Sequence, residues 1–177
     1  MCIIIDTNAL ASVFDVDSSN HENFKPVYDW IFNNKGKVVY GGTKYKEELK
    51  NSYRYLKLFG QLSRIRKTIE IDDDLVDNYQ KILESKVQHR DFDDPHLVSI
   101  LHISKCKLIC TNEKRAIPYI TNKDFYDKGF KPKIYSRKVN SSLLNDSNIS
   151  DICLPCIKLK NNDALLLKKI SKEIIQK

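Results

Sequence analysis

Four carboxylates stand in separate segments of the chain, each beside a pattern that an α/β protein could use to position it. They are Asp6 in IIIDTN, Glu48 in KEEL, Asp94 in DDPH and Glu113 in TNEK. Mg²⁺ and Mn²⁺ are hard ions that prefer carboxylate, water and phosphate oxygens. A cation held by such residues can activate water and neutralise the charge that develops on a phosphodiester during hydrolysis. We therefore expect a Mg²⁺ or Mn²⁺ site, provided that the fold brings these segments together.

Short apolar runs lead into two of these acids. CIII precedes Asp6, and LIC precedes the Thr-Asn pair before Glu113. Continuous apolar runs of this length are typical of strands that are buried on both faces of a parallel sheet. Ligands of such sheets bind outside the carboxyl ends of the strands. The sequence thus predicts that Asp6 and Glu113 lie at one common edge of a sheet.

The rest of the chain alternates between helical and extended patterns. Further strands are predicted in KVVY, TIEI and KPKIYS. Helical periodicity predicts one long helix or two over residues 43–66, helices in DDDLVDNYQKILESK and PHLVSILHISK, and an amphipathic helix over about residues 162–176. This order predicts an α/β fold with three α/β/α layers and a mostly parallel central sheet, in a single domain spanning residues 1–177.

The order of the acidic motifs resembles that of the PIN-domain nucleases. The resemblance covers residues 1–114 and runs from IIIDTN through KEEL and DDPHLVSI to ICTNEK. It implies a PIN-like fold, a catalytic group made of the four acids, and metal binding by Asp6, Glu48 and Asp94. It also implies metal-dependent hydrolysis of RNA that leaves a 5′-phosphate and a 3′-hydroxyl. Because the family includes ribonuclease toxins as well as processing and defence nucleases, an antitoxin, another protein partner or a second copy of the chain is an open expectation.

Two of the acids depart from the family pattern or leave a choice open. Glu113 stands where many members have Asp, and its extra methylene moves the carboxylate by about a bond length. Glu113 therefore acts directly in catalysis, supports the other acids or has no role. If it has no role, the alternative function is a PIN-fold module that binds nucleic acid without effective catalysis. Glu47 competes with Glu48, since adjacent helical residues point about 100° apart. We prefer Glu48 because apolar Leu49 follows it, as in the family.

The residues around the acids have structural as well as functional interpretations. Asp94 before Pro95 suits a helix N-cap as well as a ligand. Asn8 caps the first helix, orients Asp6, or does both. Thr111 donates a hydrogen bond to the acids or only ends its strand. Asp93 is a solvated loop residue or supports the site.

The basic balance of the chain favours anionic partners. The formal net charge is +7 and the pI is about 9.1, which tilts the expectation toward nucleic acid. One helical segment interleaves aromatic and basic residues, as in TKYKEELKNSYRYLKLF. Its cations form either a solvated face or part of the substrate path. The candidate nucleic-acid-binding residues are Lys44, Lys46, Lys50 and Arg54.

The cysteines and histidines suggest no convincing zinc or redox centre. The five cysteines are an odd number in a chain that we expect to be intracellular, so a disulfide framework is not expected and most of them are predicted to be buried thiols. Cys153 and Cys156 form a CxxC motif without a second pair, which makes a zinc or redox protein the weakest hypothesis. His96 and His102 lack the spacing of a zinc-binding pair and are expected to pack or to lie at the surface.

No hydrophobic segment suggests a membrane protein. The longest apolar runs fall well short of the roughly 20 residues that span a bilayer. The start MCIIIDTNALASVF has no positively charged region before its apolar stretch. We therefore expect a cytoplasmic protein without membrane partners.

Overall fold

The fold is built on a five-stranded sheet in which every neighbouring pair of strands is parallel. The structure is a computed structural model and describes residues 2–148 and 150–176. The strands are β1 (Cys2–Ile5), β2 (Lys37–Gly41), β3 (Thr68–Ile71), β4 (Leu108–Cys110) and β5 (Lys133–Tyr135). They are arranged in the order β3-β2-β1-β4-β5. The predicted α/β class with a mostly parallel sheet is confirmed.

Eight α-helices surround this sheet in the described part of the chain. They are α1 (Leu10–Phe14), α2 (His21–Asn33), α3 (Thr43–Asn51), α4 (Tyr53–Arg64), α5 (Asp73–Lys86), α6 (Pro95–Ser104), α7 (Ile117–Ile120) and α8 (Asn161–Ile175). Helices α3, α5 and α6 contact one another, and α8 packs on α2 and α4. This arrangement is consistent with three α/β/α layers. Residues 43–66, which the sequence assigned to one helix or two, form two helices separated at Ser52.

The order of the strands reverses beside β1. The chain proceeds from β1 outward to β2 and β3, and later returns to place β4 and β5 on the other side of β1. In open parallel sheets the crevice at such a reversal is the usual ligand site. All four residues of β1 are buried, as are all three of β4, because helices cover both faces of the sheet. Asp6 and Thr111 directly follow these two strands and therefore lie at the crevice.

Two of the five cysteines are not thiols. Cys2, at the start of β1, forms a disulfide bond with Cys153, which lies in a short 3₁₀ turn near the C-terminus. Their Cα atoms are 6.2 Å apart although 151 positions separate them in the chain. Sequence spacing could not reveal this pair, because only the packing of the C-terminal segment brings it together. Cys153 is therefore not available to act with Cys156 as a CxxC centre.

Two of the other cysteines are buried thiols, as expected. Cys106 and Cys110 are free and buried. Cys156 is partly buried, and its thiol donates a 3.1 Å hydrogen bond to the Cys153 carbonyl. No helix within residues 2–148 and 150–176 is long and apolar enough to cross a membrane. Helix α8 is amphipathic, as predicted: it buries Leu167 and Ile175 and exposes Lys169, Lys172 and Glu173, although two leucines before Leu167 are also exposed.

Candidate functional site

Asp6 is a buried carboxylate held at the carboxyl end of β1. Its side chain is 2% exposed. Oδ2 accepts a hydrogen bond of 2.6 Å from the Thr111 hydroxyl, and Oδ1 accepts one of 3.0 Å from the main-chain N–H of Asn8. Burial raises the pKa of Asp6, and the Glu48 and Glu113 carboxylates add to this, against the lowering effect of the two hydrogen bonds. Asn8 thus supports Asp6 through its main chain, while its side chain is exposed.

Helix α3 carries Glu48 to the same edge. The turn before the helix needs glycine: Gly42 has a φ of +80°, and a Cβ there would lie 2.5 Å from Val76 Cγ1. Inside the helix, the buried Tyr45 hydroxyl donates a 2.6 Å hydrogen bond to the Ile5 carbonyl, one residue before Asp6. The start of α3 is therefore joined to the end of β1 at a fixed position.

Glu48 faces the end of β1, and Glu47 does not. Glu48 Oε2 accepts a 2.7 Å hydrogen bond from the Thr7 hydroxyl, and its Oε1 lies 3.7 Å from Lys44 Nζ. Glu47 is exposed. The roughly 100° between adjacent helical positions separates their directions. Of the two acids that the sequence left open, the structure brings Glu48 to the site.

Asp94 occupies the N-cap position of α6 but does not act as a cap. Its side chain makes no capping hydrogen bond, and it has no hydrogen bond or ion pair to any other residue that the structure describes. Burial raises the pKa of Asp94 to about 7, and the neighbouring Asp6, Asp93 and Glu48 carboxylates contribute to the rise. An uncompensated carboxylate beside other carboxylates is the condition in which a cation binds favourably.

His96 lies two residues further along α6 and completes a compact group of ligand atoms. It is 1% exposed, and its Nε2 lies 3.6 Å from Glu48 Oε2. Glu48, Asp94 and His96 each contribute one ligand atom, and these three atoms lie within 4.8 Å of one another. Within the described ranges, no other three His, Cys, Asp or Glu residues come together in this way. Burial lowers the pKa of His96 to about 4, so its imidazole is neutral at physiological pH.

Sequence reasoning missed this place for His96. The sequence predicts that His96 packs in the core or lies at the surface. The ring is buried, as a packing residue would be, but it also lies beside Glu48 and Asp94, two of the predicted metal ligands. The available signal was its position in the first turn of the helix that begins at Asp94. Neighbours in a first turn share the edge of the sheet to which the helix N-terminus points.

Glu113 and Asp93 lie at the margin of the group. The Arg115 side chain donates a 3.0 Å hydrogen bond to Glu113 Oε1, and this contact lowers the pKa of Glu113. The main-chain N–H of Glu113 donates to the Thr111 hydroxyl that holds Asp6. Asp93 is exposed and affects Asp94 only through its charge. Neither acid belongs to the compact group of three residues.

The four predicted nucleic-acid-binding cations do not form one free surface. Lys46 pairs with Glu70 and Asp73. Arg54 donates to the Ile175 carbonyl at 3.3 Å. Lys44 lies near Glu48, as described above, and only Lys50 is exposed without an ion pair to a described residue. Arg54 also lies 3.9 Å from Asp15 Oδ2. Lys46 and Arg54 thus have acidic partners from other segments, and Lys44 has one in its own helix.

A polar cleft opens on the other side of Thr111. It has a volume of about 820 Å³. Its lining comes from the start of α2, the segment after β4 with the start of α7, and the segment after β5, namely Asn20, Asn23, Thr111, Asn112, Lys114, Ile117, Pro118, Ser136 and Arg137. Lys114 and Arg137 are exposed, and neither has an ion pair among the residues described. Because the Thr111 hydroxyl also donates to Asp6, the cleft and the acidic group are adjacent.

The hydrogen bond from Tyr45 to Ile5 can be tested by substitution. We expect Tyr45→Phe to lower the free energy of unfolding by about 1–2 kcal/mol, since a buried carbonyl at the end of β1 loses its donor. Urea denaturation measures this change. Tyr53→Phe is the matched control, because Tyr53 is 63% exposed and should tolerate the loss of its hydroxyl. Equal stability of the two variants would contradict the proposed connection between α3 and β1.

Comparisons of the chain with protein-family models, with curated proteins and with solved structures found no match. Any functional conclusion therefore depends on the residues and geometry described above.

Proposed function

We propose that this chain is a metal-dependent nuclease that hydrolyses phosphodiester bonds, with RNA as its substrate and endonucleolytic cleavage as its activity. The observation that carries the proposal is that Glu48 and Asp94 come together beside the buried Asp6 at the carboxyl edge of a parallel sheet, from three segments far apart in sequence. The resemblance of their motifs to the PIN-domain nucleases supports the same activity.

The residues at this edge fit a divalent cation. Asp94 has a carboxylate that no other described residue compensates. Burial raises the pKa of both Asp94 and Asp6, and the neighbouring carboxylates add to the rise. A cation would offset this mutual repulsion, and carboxylates are the ligands that Mg²⁺ and Mn²⁺ prefer. When bound, such an ion activates water and neutralises charge on the phosphodiester.

The surrounding residues hold these carboxylates in fixed directions. Thr111 and the main-chain N–H of Asn8 each donate to one oxygen of Asp6, and Thr7 donates to Glu48. Hydroxyl and amide donors of this kind fix the rotamer of a ligand and leave its other lone pairs free. The chain therefore presents a preorganised acidic group without requiring a protein nucleophile.

The polar cleft beside Thr111 suits a nucleic-acid strand. Lys114 and Arg137, which have no ion pair to a described residue, can contact phosphates, and the asparagine amides of the cleft can donate to bases or sugars. A purely acidic site repels phosphate, so positive charge beside it is needed to bind the substrate. The cleft replaces the α3 and α4 cations as the main candidate for the substrate path.

Removal of the two cleft cations tests this path. We expect the double variant Lys114→Ala/Arg137→Ala to weaken binding of single-stranded RNA and to reduce the salt dependence of binding by about 1.4 in log–log slope, since each phosphate contact contributes about 0.7. Fluorescence anisotropy across a salt series, in EDTA to prevent cleavage, gives both values. The control Lys81→Ala/Lys169→Ala removes the same charge from α5 and α8, away from the cleft. Equal slopes for the two double variants would exclude the cleft as the binding path.

The activity is tested with labelled single-stranded RNA and DNA of the same sequence. The protein is incubated with Mn²⁺, with Mg²⁺ or with EDTA, and the ends of the products are analysed. We expect cation-dependent internal cleavage of RNA that leaves 5′-phosphates. Binding of RNA without cleavage under every condition would contradict the nuclease and support a nucleic-acid-binding module, an alternative that the contact of Glu113 with Arg115 favours.

A further inference from the structure

His96 is an exception in an otherwise well-satisfied interior. Within residues 2–148 and 150–176, only four buried side-chain nitrogen or oxygen atoms lack a hydrogen-bond partner, and two of these are the ring nitrogens of His96. A buried polar group without a partner costs about 1–3 kcal/mol. Native proteins rarely retain such a group unless an ion, a ligand or water completes it.

The imidazole lies against the two carboxylates. Nε2 is 3.6 Å from Glu48 Oε2, which is beyond hydrogen-bonding distance. Two ligand atoms that each lie about 2.1 Å from one ion are at most about 4.2 Å apart. The separation of Nε2 and Oε2 is within that limit, so a single ion can contact both atoms. The position of the ring depends on packing, including an edge contact with the Tyr45 ring.

We propose that His96 supplies a nitrogen ligand to the cation at this site, so that the site prefers first-row transition ions such as Mn²⁺ and Co²⁺ to Mg²⁺. This inference rests on the cation site of the proposed function, but it concerns the identity of the ion. Mg²⁺ is suited to oxygen ligands, whereas imidazole suits transition ions. Within that series affinity rises from Mn²⁺ to Co²⁺ at a given site. Two carboxylates and one imidazole thus form a mixed oxygen and nitrogen ligand set.

Metal binding without substrate provides the first test. The chain is freed of metal with EDTA and titrated calorimetrically with Co²⁺, Mn²⁺ and Mg²⁺. We expect Co²⁺ to bind at least about tenfold more tightly than Mg²⁺. His96→Asn should lose at least about tenfold in Co²⁺ affinity, since the loss of residues that only support a metal ligand already costs about 10–100-fold. Its Mg²⁺ affinity should change little. The control His102→Asn removes an imidazole from the same helix, where His102 contacts the Phe125 carbonyl instead of the acids.

A second measurement detects the ligand directly and needs no variant. Wild-type protein carrying histidine labelled with the heavy isotope of nitrogen is loaded with Mn²⁺ and studied by pulsed electron paramagnetic resonance. A coupling between Mn²⁺ and the labelled nitrogen is expected. It should persist in His102→Asn and disappear in a folded His96→Asn variant.

The outcomes separate this inference from the proposed function. Mn²⁺ bound without coupling to histidine nitrogen, or an unchanged ratio of Co²⁺ to Mg²⁺ affinity in His96→Asn, would overturn the role of His96. If RNA cleavage by the wild type persisted in either case, the proposed nuclease would stand. Coupling to His96 without cleavage of any nucleic acid would support the ligand and overturn the nuclease. Absence of binding by all three ions would overturn both.

Discussion

Asp94→Asn is expected to reduce cation-dependent RNA cleavage at least about 100-fold, the upper end of the losses seen when residues that only support a metal ligand are removed. The substitution keeps the size of the side chain and removes the one carboxylate in the acidic group that no other described residue compensates. Asp6→Asn should give a loss of the same order, because it removes the buried carboxylate at the end of β1. Initial rates of RNA cleavage at saturating Mn²⁺ measure both effects.

Glu47→Gln is the matched control for these variants. It removes one negative charge from an exposed residue of α3, next to Glu48 but directed away from the site. A general dependence on net charge would affect Glu47→Gln as strongly as Asp94→Asn. Activity within about threefold of wild type is expected for the control, since an exposed charge contributes little at physiological salt. Full activity of Asp94→Asn with Mn²⁺ would contradict the proposed site.

The same Asp94→Asn substitution is expected to stabilise the protein when no divalent cation is present. The pKa of Asp94 rises from its usual 3.8 to about 7 in the folded state. Between these values the folded state holds a proton that the unfolded state has released, so stability falls as pH rises through this range. Asparagine at position 94 has no proton to release, so the variant does not lose this stability as the pH rises. Because Asp94 is only partly buried, we expect a gain of about 1 kcal/mol, or about 3 °C in Tm, above neutral pH.

Thermal unfolding in EDTA at several pH values measures this effect. The difference in Tm between Asp94→Asn and wild type should grow from about pH 4 to about pH 7 and then remain constant, since deprotonation is complete in both states above the folded pKa. Excess Mn²⁺ should reverse the difference, because the folded wild type binds the ion more tightly than the folded variant and so gains more stability from it. Glu47→Gln should show neither effect. A pH-independent difference would mean that Asp94 does not titrate as described.

The main features of the fold could be predicted from local sequence. The strands are short apolar runs, and the helices α5 and α6 begin at acidic or proline-containing signals that act within a few residues. Asp6 and Glu113 could be assigned to one edge for the same reason, since each follows a buried strand. The sequence does not predict whether residues 43–66 form one helix or two, because amphipathic periodicity alone does not reveal the break at Ser52.

The sequence by itself determined which residues end the strands, which begin the helices, and therefore which carboxylates could meet. Only the tertiary structure decided which side chains actually compensate one another. Arg115 binds Glu113, Lys46 pairs with acids from β3 and α5, and His96 lies beside Glu48. The physical reason is that periodicity and capping act over a few residues, whereas most of these contacts, like the disulfide of Cys2 with Cys153, join segments that only the packing of the whole chain brings together.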